Sequence, residues 1–444
     1  MNSSNFATDR SVWKAADRHL LRYMGAGGSF TSFIPERAEG SWLYDSSGRK
    51  VLDFTSGQMS SLLGHAHPEL VEALRAAAGR LDHTFSMMIS RPVVELAAEL
   101  AKLVPALPRS MFLSTGGEST EAAIRLAKVV TGKWEIVAFS QSYHGSTGAA
   151  ASATYSIGRG GQGPLMPGSF AIPAPNAFRP RFPGVSWQQE LDDSFELLDR
   201  QSTGNLAAFI AEPLLSTGGL IDLPPGYLTA LKAHCERRGM LLIVDEAQTS
   251  LGRTGTMFAF ERDDVTPDIL LLSKTLGAGM AMASVSTTDE IAEAANRRGF
   301  MFVTTHVNDP LPASVALKVL EIIQKDDLVE RSALLGSRLV KGLRNLMQKH
   351  QCVGDIRGRG LLIGMEFVPY LTQSPTDLSM KVTEIALELG LSANITGPFS
   401  AGVMRLAPPI NSSEEEIDFG LRVLDEAIAR AVEPASDQHL TAAS

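Results

Sequence analysis

Met240-Leu-Leu-Ile-Val-Asp245-Glu246-Ala247-Gln248 decides how this chain is read. Five apolar residues end in an acid. That is too short for a buried helix and suits a strand covered on both faces. An acid at the C-terminal end of such a strand sits where open α/β sheets place ligand contacts, although it also fits a plain strand end. Working outward, Asp268-Ile-Leu-Leu-Leu-Ser273-Lys274 repeats the pattern with a lysine in the terminal place, followed by a loop holding Gly277 and Gly279. Most lysines are solvated surface charges. One emerging from an apolar strand has its ammonium disfavoured, which suits an imine-forming amine. Upstream, 111–113 reads as a strand and 118–130 as a helix closed by Gly132. Between them lies Ser114-Thr115-Gly116-Gly117-Glu118-Ser119. Two glycines before a helix N-terminus let backbone N–H groups approach an anion, or make an ordinary turn. No Gly-Lys-Ser/Thr follows, so this is not a P-loop.

Strands are expected at 111–113, 135–139, 206–211, 240–244, 269–272 and 283–286, with helices such as 226–238 between several of them. Such alternation means a mostly parallel α/β sheet. The stretch 157–186 is rich in Gly, Pro and Arg and reads as an irregular excursion. The first 80 residues supply a helix at 11–23 and a hairpin around 42–54. After residue 311 helices dominate, at 312–324, 328–349 and 379–389, with a final helix capped by Ser412 or Ser413 and opened by Glu414-Glu-Glu416. The domains expected are an N-terminal segment 1–80 serving a small domain, a large domain 81–315, a small C-terminal domain 316–434 and a flexible tail 435–444.

Composition sets broad limits. The 444 residues carry a net charge of −9, which argues against a nucleic-acid partner gripped by its phosphates. Two cysteines, Cys235 and Cys352, allow no disulfide framework and fit a reducing compartment. The polar start Met1-Asn-Ser-Ser-Asn5 has no apolar signal core, and no apolar run approaches the roughly 20 residues that span a bilayer. A cytoplasmic protein with no membrane partner is expected.

The three motifs are sharper together than singly. A phosphate-binding helix start, a strand-end aspartate and a strand-end lysine 29 residues later make a pyridoxal phosphate site. The lysine would hold the cofactor as a Schiff base. The aspartate would keep its ring nitrogen protonated and strengthen the electron sink. Gln141-Ser-Tyr143-His144-Gly145 follows a strand and offers an aromatic ring to stack on the cofactor.

With those motifs in place the chain resembles the class III, fold-type I pyridoxal phosphate enzymes over residues 35–432. Within them it is most similar to the 2,2-dialkylglycine decarboxylases. Leu52-Asp-Phe-Thr-Ser-Gly-Gln58-Met-Ser60, Leu81-Asp-His-Thr-Phe-Ser86, 149–156, Gly252-Arg-Thr-Gly-Thr-Met-Phe258 and Thr304-Thr-His-Val-Asn-Asp309-Pro-Leu-Pro312 carry that closer likeness. The resemblance implies a large domain with a mostly parallel seven-stranded sheet, and a smaller α+β domain from both chain ends. It implies that Lys274 is the Schiff-base lysine and proton shuttle, that Asp245 meets the pyridine nitrogen and that Gln248 lies near the phenolic oxygen. Thr115, Gly116 and Gly117 would hold the phosphate, joined by Thr305 from a partner subunit. Tyr143 would stack on the ring, with His144 and Glu212 close by. Ser60, Ser146, Thr217 and Arg405 would surround the substrate, Arg405 pairing with a carboxylate. Gln58 would hold a carboxylate perpendicular to the cofactor plane and so favour loss of CO2. An alkali cation, K+ or Na+, would use Thr84, Ser86, Thr305, Val307 and Asp309.

Departures from the decarboxylase pattern surround the substrate. Tyr143 replaces a tryptophan, Ser146 a methionine, Thr217 a serine, Thr120 an asparagine and Val303 a tyrosine. The expected reaction is decarboxylating amino transfer from a 2,2-dialkylglycine, such as 2-aminoisobutyrate or isovaline, to pyruvate. The alternatives are a class III aminotransferase acting on an ω-amino acid or amine without decarboxylation, and a non-catalytic binding protein on the same fold. A homodimer or homotetramer is implied. Outside the motifs, His65-Ala-His67-Pro68 has metal-like spacing but reads as a turn. His306 reads as a core or interface histidine, and Arg179-Pro-Arg181 as a packed loop.

Overall fold

The computed structural model describes residues 8–23, 30–396 and 402–433. The expected tail 435–444 lies outside them, as do residues 397–401. A seven-stranded sheet forms the centre. Its order is Arg109–Leu113, Ala283–Thr287, Ile269–Leu272, Leu241–Asp245, Leu206–Ala211, Glu135–Phe139 and Ser169–Ile172. All neighbours are parallel except Ala283–Thr287, which runs antiparallel to both of its own. The edge strand Ser169–Ile172 lies inside 157–186, read above as irregular throughout. It is four residues long among glycines and prolines, too short for a periodic signal.

Both faces of the sheet are covered, and the two-residue period of the strands shows it. Ile136 and Ala138 join one apolar cluster with Ala123 and Leu126 of the helix Gly116–Thr131. Val137 and Phe139 point the other way, into a cluster with Phe195 of Trp187–Gln201 and Leu231 of Tyr227–Arg237. Apolar side chains on both faces explain why these strands read as unbroken hydrophobic runs.

A two-stranded ribbon, Leu214–Leu215 with Ile221–Asp222, lies mid-chain, and the two remaining sheets come from the chain ends. Trp42–Tyr44 and Lys50–Asp53 pair antiparallel, and Leu391–Ser392 joins Lys50–Asp53 in parallel. Val353–Arg359, Leu362–Phe367, Val403–Leu406 and Asn394–Ile395 form a second antiparallel sheet. The helices Leu328–Lys349, Pro375–Glu388 and Glu414–Val432 accompany them. Ser413 is the cap of the last: its hydroxyl accepts from the Glu416 backbone N–H at 3.1 Å.

Arg253 ties this region to the loop after Leu241–Asp245. Its guanidinium is wholly buried, donates to the Leu361 carbonyl at 3.1 Å and to the Pro408 carbonyl, and lies 3.4 Å from Ser56 Oγ. Burial pulls its pKa down to about 9. Gly336 lets Leu328–Lys349 approach the Gly360 backbone, since a Cβ there would lie 2.2 Å from the Gly360 oxygen.

Candidate active site

A cavity of about 490 Å³ opens at the C-terminal ends of the parallel strands. Thr115, Gly116, Gly117, Tyr143, His144, Ser146, Asp245, Lys274 and Ser60 all line it. Residues from five separate stretches therefore meet as the motifs implied.

The helix start is built by local chemistry. Thr115 caps Gly116–Thr131, its Oγ1 accepting from the Glu118 backbone N–H at 3.2 Å, while the Glu118 carboxylate accepts from the Thr115 N–H. Gly116 has no room for a side chain: a Cβ would meet Ser273 Oγ at 2.9 Å. A Cβ on Gly145 would come within 3.0 Å of the Gly117 Cα. Backbone thus closes around the helix N-terminus, a setting for an anion.

Strand alternation separates the two acids of Asp245-Glu246. Asp245 faces the cavity. Its Oδ2 is 2.7 Å from His144 Nδ1 and its Oδ1 accepts from the Ala247 N–H at 3.1 Å. Glu246 turns away and is fully buried, accepting from the Ala259 and Phe260 N–H groups at 2.9 Å each. Burial raises its pKa to about 7. Its part is to hold the following loop.

Lys274 has a backbone φ of 21°, in the region that ordinary side chains avoid, and Ser60 Oγ donates to its carbonyl at 3.1 Å. Burial lowers the Lys274 pKa, partly opposed by Asp245 and assisted by Arg405. A lowered pKa moves the group toward the neutral amine, the nucleophilic form. Glu212 lies beneath, accepting from the Tyr143 N–H at 2.9 Å and the Ser216 N–H at 3.3 Å. Burial raises its pKa to about 7, with Asp245 pushing the same way and His144 opposing.

Arg405 is buried next to this group. It donates to Asn394 Oδ1 and Ser216 Oγ at 3.1 Å each, and reaches Gln248 Oε1 at 3.5 Å. Burial lowers its pKa to about 10. Ser216 and Asn394 are partners that sequence reading missed.

Other expected residues stand apart. Gln58 is exposed and does not line the cavity, although its neighbour Ser60 does. Glu212, Gln248, Thr217 and Arg405 are not among the lining residues, although Glu212 holds the N–H of the lining residue Tyr143 and Arg405 reaches Gln248. Thr305 is exposed on the 303–305 segment, facing a hollow shared with Thr84 and Ser86. Asp309 does not wait there with free oxygens, because His83 and His306 engage one each. His306 is exposed in the single chain, so it is no core histidine. His65 is 2.8 Å from Asp53 Oδ2, a structural contact. Arg179 bonds to the buried Glu366.

A family model, aminotransferase class-III, matches residues 23–428. The chain belongs to the class III aminotransferases. An uncharacterised aminotransferase of Schizosaccharomyces pombe is 49% identical, over 94% of each chain. A 5-aminovalerate aminotransferase of Pseudomonas aeruginosa is 34% identical, over 94% of this chain and 98% of its own. A solved transaminase from the marine bacterium Virgibacillus superposes with a TM-score of 0.88 at 27% identity, covering 95% of this chain and 99% of its own. The fold is that of the fold-type I transaminases, and the enzyme is pyridoxal phosphate-dependent. The cavity fits that cofactor: the anion cradle, the strand-end carboxylate and the buried amine all face it. Among the described residues no helix is long and apolar enough to cross a membrane.

Proposed function

We propose that this aminotransferase moves the amino group of an ω-amino acid to a 2-oxo acid, without decarboxylation. Arg405 carries the reading. It is a buried guanidinium whose hydrogen-bond partners are neutral oxygens, Asn394 Oδ1, Ser216 Oγ and Gln248 Oε1. Glu212 is the acid whose charge acts on it, but that carboxylate accepts from the Tyr143 and Ser216 N–H groups instead. A substrate carboxylate would complete the buried cation. The likeness to a 5-aminovalerate aminotransferase supports a donor whose amine and carboxylate are well separated.

The bound cofactor supplies an electron sink for the carbon that carries the nitrogen. The chain does the rest. Asp245, fixed by His144, would receive the ring nitrogen. Lys274 Nζ takes and returns a proton at the reacting carbon. Thr115, Gly116 and Gly117 anchor the anionic end, and Tyr143 and Ser146, joined at 3.2 Å, form one wall. Arg405 sets the distance between substrate carboxylate and reacting amine.

Decarboxylation of a dialkylglycine has less behind it. Its distinguishing residue, Gln58, is exposed and lies off the cavity. The Gln58→Ala variant should leave amino transfer within about twofold, and selective loss of CO2 release would revive that reading. A homodimer is part of the proposal. Phe85, Met87, Met88, Ile89, Met301 and Val303 are 61–87% exposed, an apolar surface that a second copy would cover. Thr305 sits beside it and would then reach the partner's cofactor.

The Arg405→Met variant tests the proposal. Its KM for an ω-amino acid should rise roughly 10- to 100-fold, the worth of a charge-assisted hydrogen bond, while an amine without a carboxylate is little affected. Equal effects on both would overturn it.

A further inference from the structure

We propose that His83, His306 and Asp309 form a binding site for one zinc-type divalent cation, apart from the catalytic cavity. One ligand atom from each lies within 4.8 Å of the others. His83 Nδ1 is 2.5 Å from Asp309 Oδ1, and His306 Nδ1 is 2.5 Å from Asp309 Oδ2. The two rings stand 5.0 Å apart, tilted by 52°. Two ring nitrogens and a carboxylate thus converge from segments 226 residues apart in sequence.

The site is held in place. Asp309 begins the helix Pro310–Lys325, and its side chain is 11% exposed. Its neighbour Asn308 is pinned to the sheet: Asn308 N–H donates to the Phe112 carbonyl, and Asn308 Oδ1 accepts from the Phe112 N–H, both at 3.0 Å. The histidine rings are 42% and 59% exposed in the single chain, beside the apolar surface proposed above as the dimer face.

Two imidazoles and one carboxylate make a three-ligand set, which leaves a fourth position for water. Imidazole nitrogen favours zinc, cobalt or nickel, whereas alkali ions prefer oxygen alone. Thr304 Oγ1 is buried without a hydrogen-bond partner, on the wall of the hollow that His83 also lines. It is an available acceptor for a metal-bound water. Binding needs no oxidant. The cation takes the place of the hydrogen bonds between the rings and Asp309, each ring coordinating through Nδ1 and carrying its proton on Nε2. The bound cation would tie residue 83 to the 303–309 segment and stiffen the rim around Thr305.

The experiment uses the cofactor-loaded enzyme, stripped with a chelator and titrated with Zn2+ by calorimetry, with metal content measured after gel filtration. One equivalent per chain is expected. His83→Ala and His306→Gln should each weaken it at least tenfold while the thermal midpoint in chelator stays that of the parent. On the unaltered enzyme, Co2+ should give a visible band above 500 nm that Zn2+ abolishes, which tests the site even if a variant misfolds. No saturable Zn2+ equivalent, undiminished binding in both variants, or a site filled by K+ and indifferent to Zn2+ would overturn the proposal.

Discussion

His144 Nδ1 lies 2.7 Å from Asp245 Oδ2, with the histidine side chain wholly shielded and the aspartate 8% exposed. The contact fixes the carboxylate that faces the cofactor cavity. Replacing His144 with Phe leaves Asp245 without that partner. A hydrogen bond to a charged group contributes about 1.5–3 kcal/mol, so cofactor affinity should fall roughly 10- to 100-fold. Equilibrium dialysis of the cofactor against the His144→Phe protein checks this. An unchanged affinity would mean that Asp245 is held by the backbone alone.

Glu212 gives a pH signature. Its pKa of about 7 in the fold exceeds the ordinary 4.5. Between those values the native state keeps a proton that the unfolded chain has lost. Stability therefore falls as pH rises through this window, and the cost is fully present above about pH 7. Glu212→Gln removes that cost. Relative to the parent, it should gain on the order of 3 kcal/mol between pH 5 and pH 8. Unfolding midpoints across that range measure the difference, and parallel curves for the two proteins would refute it.

Two helix glycines should respond differently to alanine. A Cβ at Gly336 meets the Gly360 carbonyl oxygen at 2.2 Å, and backbone cannot step aside. A Cβ at Gly342 meets Leu421 Cδ1 at the same distance, but that side chain can rotate. Gly336→Ala should cost about 1–3 kcal/mol. Gly342→Ala should cost much less, because alanine also favours helix by up to about 1 kcal/mol. Denaturant midpoints rank them, and the reverse order would contradict the packing described.

The apolar surface around Ile89 predicts assembly. Ile89 is 87% exposed and Met88 62%. The Met88→Asp, Ile89→Asp double variant should sediment as a monomer and lose most activity, since Thr305 would no longer reach a neighbouring site. A parent enzyme that is monomeric at micromolar concentration would overturn the dimer.

Much of this was legible in the chain because it is local. Leu241–Asp245 and Ile269–Leu272 are apolar on both faces, so their boundaries and the chemical groups at their ends, Asp245 and Lys274, stand out. Ser413 announces the last helix through a capping box four residues long. What was not legible depends on long-range topology. Arg405 finds Ser216 across 189 residues, and His83 finds Asp309 across 226. No spacing rule encodes such pairs. Gln58 shows the same limit from the other side: its neighbour Ser60 turns into the cavity while Gln58 is exposed, because Gly57, with a φ of 57°, breaks the helical course there.

The most direct test of the central claim is a single reaction vessel scoring both products. The enzyme, its cofactor and pyruvate are supplied with 5-aminovalerate or with 2-aminoisobutyrate, and alanine and CO2 are measured together. The account predicts alanine from 5-aminovalerate with no CO2 released. Alanine formed only from 2-aminoisobutyrate, with an equal amount of CO2, would contradict it.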